Sequence, residues 1–377
     1  MRILHAYKVY WPDADGGIPS VMFCLAQNTD QAFHSILSAR LCGLGHKYAM
    51  NGVPVEAVTS LGTVHSMPMA PGYFSAFFRS ARIAGIVVHH APFPLTDAAI
   101  LLGLPSDVAV IVYWHADIIG RSLFKRLVSP ILRRALARAD KIIVSGTAMF
   151  ESSDLLKPFA AKCEVLPYGV DLDYWRTLDT DDVAAVERIK QQYPRHIVAV
   201  GRLVGYKGFD VLIRAMRDVD AHATIVGEGP LHGELSRLAT ELGVSTRVHF
   251  AGRLERRDIK RLFHSARIFA FPSVNDAEAF GIAQVEAMST GLPVVNAKLR
   301  TTVPWVARHD QEALTVQPND AGAFAQALNS LLDQPALAQR LGASAYARAT
   351  NEFDQDIFRA RMTAVYHNAM RAREAVR

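Results

Sequence analysis

Ile197-Val-Ala-Val-Gly201-Arg202-Leu-Val-Gly205-Tyr-Lys207-Gly-Phe-Asp-Val211 is the stretch that decides the fold class. Its apolar run, Ile197 to Val200, reads as a strand buried on both faces. The glycine-bounded segment after it is a loop, and Val211 to Arg217 carries a helical pattern. Strand, loop and helix in that order form half of a parallel sheet covered by helices. Arg202 leaves the end of the strand and Lys207 stands at the start of the helix. Two cations one loop apart suit a diphosphate, because Arg forks onto two oxygens while Lys acts as a compact charge. The flanking glycines let a backbone approach a ligand closely. The ordinary alternative is a solvated Arg and Lys in a surface loop.

The same rhythm extends in both directions. Strands are expected at Arg2–Tyr10, Ser35–Leu41, Gly85–His90, Val108–His115, Lys141–Ser145 and Cys163–Pro167, then at His196–Gly201, His222–Gly227, Arg247–Ala251, Ile268–Phe271 and Pro293–Asn296. Helical patterns lie between them, which makes the chain α/β with two doubly wound parallel sheets. The length of 377 residues supports two cores. Polar residues 177–192 separate the two sets.

A second informative stretch is Glu278-Ala-Phe280-Gly281-Ile282-Ala-Gln-Val-Glu286. Two carboxylates flank a Phe-Gly-Ile turn that opens a helix, about 12 Å apart along its axis. A helix start with glycine exposes amides that suit an anion. Carboxylate, amides and carboxylate in that order could hold the hydroxyls of one sugar, a diphosphate and the hydroxyls of a second sugar. The plainer alternative is a buried helix with two solvated Glu.

Other candidates sit at strand ends. Gly16-Gly17 closes the loop after the first strand. His115 ends an apolar strand and is followed by Asp117. His89-His90-Ala-Pro-Phe-Pro is a strand exit rich in groups that bond or stack on sugars. Gly227-Glu-Gly229-Pro-Leu-His-Gly233 narrowly misses the dinucleotide fingerprint, with one residue too many before its last glycine.

Composition excludes several classes. Half the residues are hydrophobic, a fifth are charged and the net charge is +5, which is ordinary for a globular protein. No apolar run approaches the ~18–20 residues that span a bilayer, and the N-terminus lacks a signal peptide's apolar region. Cys24, Cys42 and Cys163 are odd in number and scattered in apolar patterns, so they read as reduced core residues of a cytoplasmic protein. No nucleic-acid module is recognisable. Asp-x-Asp occurs at 13/15, 171/173, 179/181 and 354/356, a scatter that suggests loop composition rather than a metal site. The helix Arg121–Arg138 interleaves Lys125, Arg126, Arg133, Arg134 and Arg138 with apolar residues, a pattern compatible with an anionic membrane surface. One face on the sheet and one in water explains it equally.

Together these motifs resemble the retaining glycosyltransferases of family GT4, which have the GT-B fold. The resemblance runs from Met1-Arg-Ile-Leu-His and Gly16-Gly17 through Trp114-His115-Ala-Asp117 and Pro167-Tyr-Gly-Val-Asp171 to the Arg202/Lys207 loop, the Glu278/Glu286 pair and Pro304-Trp-Val. Bacterial mannosyl- and rhamnosyltransferases of O-antigen or exopolysaccharide synthesis are the most similar subgroup. The resemblance implies an acceptor-binding Rossmann-like domain at 1–174, a linker at 175–194 and a donor-binding domain at 195–352. It implies domains facing across a cleft and a last helix, 353–377, that returns to the first. It assigns catalysis to His115, Glu278, Arg202 and Lys207, and donor binding to Gly16, Gly17, Gly227, Leu254, Phe280, Gly281, Ile282 and Glu286. Asp117 and His90 are the acceptor candidates. The implied reaction moves a hexose, with GDP-mannose the first candidate donor, onto a saccharide that can be polyprenyl-diphosphate-linked. It proceeds with retention by same-face substitution and needs no metal or other cofactor. UDP- or dTDP-sugars are alternative donors, and a sugar-nucleotide epimerase is the rival activity. The chain departs from the family at His309-Asp-Gln-Glu-Ala-Leu314, where relatives often have a glycine-rich run.

Overall fold

The computed structural model describes residues 1–14, 16–27, 29, 31–64, 67–116 and 123–374, with backbone alone for 123–127. The chain forms two compact units. One comprises Met1–Gly169 with the C-terminal stretch from Gln355, and the other is Val170–Asp354.

In the first unit the strands are β1 (Arg2–Ala6), β2 (Phe33–Ala39), β3 (His46–Met50), β4 (Val53–Val58), β5 (Thr63–Val64), β6 (Met67–Pro68), β7 (Ile86–Ala91), β8 (Ala109–Trp114), β9 (Lys141–Val144) and β10 (Cys163–Val165). The main sheet runs β10-β9-β8-β7-β1-β2-β4-β3 among the described residues. Every residue of β7 and β8 is buried, as expected of central parallel strands covered on both faces. Among the described residues, only β3 is antiparallel to its neighbour in that sheet. It reaches β4 through Asn51-Gly52, both at positive φ (48° and 78°), the backbone that a tight hairpin needs. The sheet reverses direction of growth between β1 and β7, so the loops after those strands flank the switch point.

The last helix, Gln355–Glu374, belongs to this unit. It buries Phe358, Met362, Val365, Tyr366 and Ala369 and packs on β7, β8 and the helix Gly17–Leu25. Arg359 donates to the Cys24 carbonyl at 3.0 Å, and Arg373 pairs with Asp140 at 2.6 Å.

The second unit holds β11 (His196–Val200), β12 (His222–Val226), β13 (Val248–Gly252), β14 (Ile268–Phe271), β15 (Val294–Ala297) and β16 (Ala313–Val316). Their order is β13-β12-β11-β14-β15-β16, and every pairing is parallel. This is the doubly wound nucleotide-binding order, with its switch point between β11 and β14.

The segment expected to be a linker, 175–194, is largely helical and lies inside this unit. Helix Leu172–Arg176 is capped by Asp171, whose carboxylate accepts from the Tyr174 amide at 3.1 Å. Helix Thr180–Gln192 begins with a reciprocal capping box between Asp179 and Asp182. Asp182 is buried yet receives Arg257 and Arg261 at 2.7 Å and Lys260 at 3.3 Å. Burial alone would raise its pKa, but hydrogen bonds from the three cations outweigh that and hold the carboxyl far below its ordinary range. Polar composition here reflects capping and ion pairing rather than a free connection.

Candidate functional site

Each charged group of the second unit's site follows a strand at the switch point. The turn Gly205–Lys207 comes after β11, and the segment from Pro272 to Gly281 comes after β14. The two loops are joined by a backbone bond from the Val274 amide to the Tyr206 carbonyl, 2.9 Å. That junction brings Lys207 Nζ within 2.5 Å of Glu278 Oε2, with both side chains largely buried (14% and 10% exposed). Ser273, also buried, donates to the same carboxylate oxygen at 3.0 Å. Lys207 Nζ further lies 5.3 Å from the centre of the Phe271 ring. The sequence suggested a separate ligand for Lys207 and for Glu278; the structure makes each the other's partner.

Gly281 opens the helix Ile282–Ser289 at φ 81°, and no side chain caps its amides. A Cβ at Gly281 would lie 2.6 Å from the Phe271 ring, so the position excludes larger residues on both counts. Phe280 is buried edge-on against Phe353, and Ile282 is half-buried. Glu286 is half-buried on the second turn. Burial raises its carboxyl pKa to about 7, partly countered by the charge of Arg256.

The other donor-binding candidates of this unit lie on the loops after β11, β12 and β13. Gly227, at φ 134°, receives the loop after β11 so closely that a Cβ would stand 2.0 Å from the Gly201 carbonyl. Its amide donates to the Gly252 carbonyl at 2.8 Å. Leu254 follows β13 and is half-buried. Arg202 is exposed beside Gly201. Sequence reading missed Ser273 and the buried support beneath the helix start. There Gln284 bonds the Phe280 carbonyl at 3.3 Å and accepts from Asn296 at 3.1 Å, and Asn296 accepts from Thr315 at 2.7 Å. Gln284 sits in the quoted motif, whereas Asn296 becomes visible only as the polar residue of an otherwise apolar strand.

In the first unit, exposed Gly16 caps the helix Gly17–Leu25 without a side-chain cap, and Gly17 is exposed too. His115 and His90 are buried neighbours, joined Nε2 to Nδ1 at 2.8 Å. His115 also bonds the Tyr168 hydroxyl through Nδ1 at 2.7 Å, so both ring nitrogens are occupied by protein. Asp117 lies outside the described residues. Of the Asp-x-Asp members, Asp13 binds Arg40 at 2.5 Å, Asp171 and Asp179 cap helices, and Asp356 pairs with Arg359 at 2.9 Å. On the basic helix, Arg133 and Arg134 are exposed, whereas Arg138 donates to the Pro105, Ser106 and Val108 carbonyls. The side chains of Arg121, Lys125 and Arg126 lie outside the description. Among the described residues no helix is long and apolar enough to cross a membrane.

Both units match models of known protein families. The model of the glycosyl transferase 4-like domain matches residues 15–169, and that of glycosyl transferases group 1 matches 184–348. D-rhamnosyltransferase WbpZ of Pseudomonas aeruginosa is 30% identical over 361 residues, covering 92% of this chain and 91% of its own. The chain belongs to the group 1 glycosyltransferases, family GT4. O-antigen chain mannosyltransferase C of Escherichia coli is 28% identical to this glycosyltransferase over 361 residues, with 94% and 95% covered. HepE of Anabaena, solved in complex with UDP, matches its fold with a TM-score of 0.77 at 21% identity, covering 98% of this chain and all of that one. The two Rossmann-like units are those of the GT-B fold. At His309–Leu314, where a departure from the family was expected, this glycosyltransferase buries Glu312 and pairs it with Arg308, at 2.6 Å and 3.0 Å.

Proposed function

We propose that this glycosyltransferase moves a hexose, first candidate mannose from GDP-mannose, onto a saccharide or lipid-linked saccharide in O-antigen-type polysaccharide synthesis. Its likeness to a mannosyl- and a rhamnosyltransferase over more than nine-tenths of the chain supports that choice. The single observation that carries the site assignment is the Lys207–Glu278 pair beside the uncapped helix start. A buried ion pair contributes little net stability, and here its two ends suit the two halves of one ligand. The donor's diphosphate takes Lys207, Arg202 and the amides at Ile282. The transferred sugar's hydroxyls take Glu278, and Glu286 holds the ribose.

The reaction we favour retains configuration. The bond from the anomeric carbon to the diphosphate oxygen breaks while the acceptor oxygen bonds to the same face of the sugar. The acceptor's proton passes to the departing phosphate oxygen. Fixed cations and helix amides stabilise the charge that grows there, a contribution that is commonly the largest in catalysis. Since those groups serve the diphosphate, the proposal includes no metal. The enzyme would work in the cytoplasm, with Arg133 and Arg134 meeting anionic lipid where a polyprenyl-linked acceptor is presented.

Thermal shift against GDP, UDP, dTDP, ADP and their common sugars tests the reading. The expected result is selective stabilisation by one nucleoside diphosphate, about 2.7 kcal/mol at a hundred times its Kd, lost in Lys207→Met. A preference for UDP or dTDP moves the donor assignment, and no response to any of them refutes the site.

A further inference from the structure

Four histidines on four adjacent strands of the first unit touch in sequence. His34 lies on β2, His5 on β1, His90 on β7 and His115 just past β8. The register explains the row. Ile3 pairs with His34, His5 with Val88 and His90 with Tyr113. Each histidine therefore stands two residues beyond the last along the neighbouring strand, and residues two apart share a face. Nδ1 of His34 lies 3.0 Å from Nε2 of His5; Nδ1 of His5 lies 3.0 Å from Nε2 of His90; Nδ1 of His90 lies 2.8 Å from Nε2 of His115. The Tyr168 hydroxyl bonds His115 Nδ1 at 2.7 Å. All four rings are buried.

A neutral imidazole carries one N–H and one lone pair. His5, His90 and His115 each use both nitrogens, so each must donate once and accept once. Burial, reinforced by neighbouring histidines for His5, His90 and His115, keeps the rings neutral: the pKa falls to about 4 at His34 and to about 3 at His115, and well below normal at His5 and His90. Because every link joins an Nδ1 to an Nε2, only two arrangements avoid a clash. Either every ring is an Nε2–H tautomer, with Tyr168 donating to His115, or every ring is an Nδ1–H tautomer, with His115 donating to Tyr168.

We propose that His34, His5 and His90 are positioning residues that fix, through this proton-ordered row, which nitrogen of His115 carries its hydrogen. The inference rests on the proposed transfer reaction for its purpose but not for its geometry. If Tyr168 yields to an incoming hydroxyl, the Nε2–H order leaves His115 a hydrogen-bond acceptor at Nδ1, and the opposite order leaves it a donor. A residue three strands from His115 thereby sets its chemical character.

Nitrogen-15 NMR of the imidazoles in the ligand-free wild type reads the order directly. All four rings are expected in one tautomer, and a mixture of Nδ1–H and Nε2–H rings within the row overturns the proposal. His34→Phe removes the far partner. Its expected effect is a changed tautomer population at His115 and a kcat lowered about tenfold with donor KM unchanged. His34→Gln, whose amide both donates and accepts, should restore both readings. Unchanged His115 signals or wild-type kcat in folded His34→Phe refutes the positioning role. Should the wild type transfer no sugar from any donor, the reaction assignment falls while the tautomer measurement still decides the ordered row.

Discussion

Removing one half of the Lys207–Glu278 pair should cost more stability than removing both. At 2.5 Å and an effective dielectric constant near 20, the direct attraction is about 7 kcal/mol, most of it offset by desolvation. Lys207→Met keeps the stem beside Gly201 but strands a carboxylate that is only 10% exposed and retains Ser273 as a donor. Breaking such a pair costs about 3–5 kcal/mol. Glu278→Gln strands the ammonium instead. The double variant buries two neutral groups and should recover to within about 1 kcal/mol of wild type. The two compact units need not unfold together, so the reading is amide hydrogen exchange of β11 and β14, which reports on the second unit alone. Turnover should behave in the opposite way. The double variant stays about a hundredfold impaired, equivalent to ~3 kcal/mol of transition-state stabilisation, because the leaving diphosphate still lacks its cation. A coupling energy below about 1 kcal/mol in the double-mutant cycle, or recovery of turnover with stability, refutes the reasoning.

Glu286 has a folded pKa near 7 against an ordinary 4.5, so its protonation stabilises the fold fully below the ordinary carboxylate range, and that contribution is lost as pH rises through about 7. Glu286→Gln should therefore be more stable than wild type at pH 8 by ~1–3 kcal/mol and equal to it near pH 4. If Glu286 binds the ribose as a carboxylate, nucleoside diphosphate binding near pH 7 should release about half a proton, seen as buffer-dependent heat that Glu286→Gln abolishes. Asp182, held ionised by three cations, contributes stability that is present above the unfolded carboxylate range and lost in strong acid. Asp182→Ala should lower urea resistance at pH 7 by about 3–5 kcal/mol and lose its disadvantage below pH 2. Activity should persist in EDTA; complete inhibition that Mn²⁺ reverses would overturn the metal-free reaction.

Much of the fold was legible because central parallel strands are nearly continuous apolar runs. Ile197–Val200 and Ile268–Phe271 announce themselves without a neighbour. The hairpin β3–β4 went unread although Asn51-Gly52 signals it, since β3 is an edge strand with alternating exposure and no apolar run. Helix Thr180–Gln192 reads as a polar connection because few of its residues are buried; Asp179-x-x-Asp182 is a local sign of its start. The site was half legible. The sequence puts Lys207 and Glu278 each in a segment that opens a helix, but their contact depends on β11 lying beside β14, which no local pattern encodes. The histidine row was hidden for the same reason. His5, His34, His90 and His115 become neighbours only once strand order and register are fixed.

The second unit is, in chain order, an insertion: the first unit begins at Met1, is interrupted after Gly169 and resumes at Gln355. Domains generally fold as units during synthesis, the earlier ones first. Here the order should invert. Residues 170–354 are complete while β7 and β8 still lack the helix Gln355–Glu374 that covers them. A nascent chain stopped before Gln355 would therefore carry a finished second unit and, in the first, a sheet still open on the face that the last helix covers.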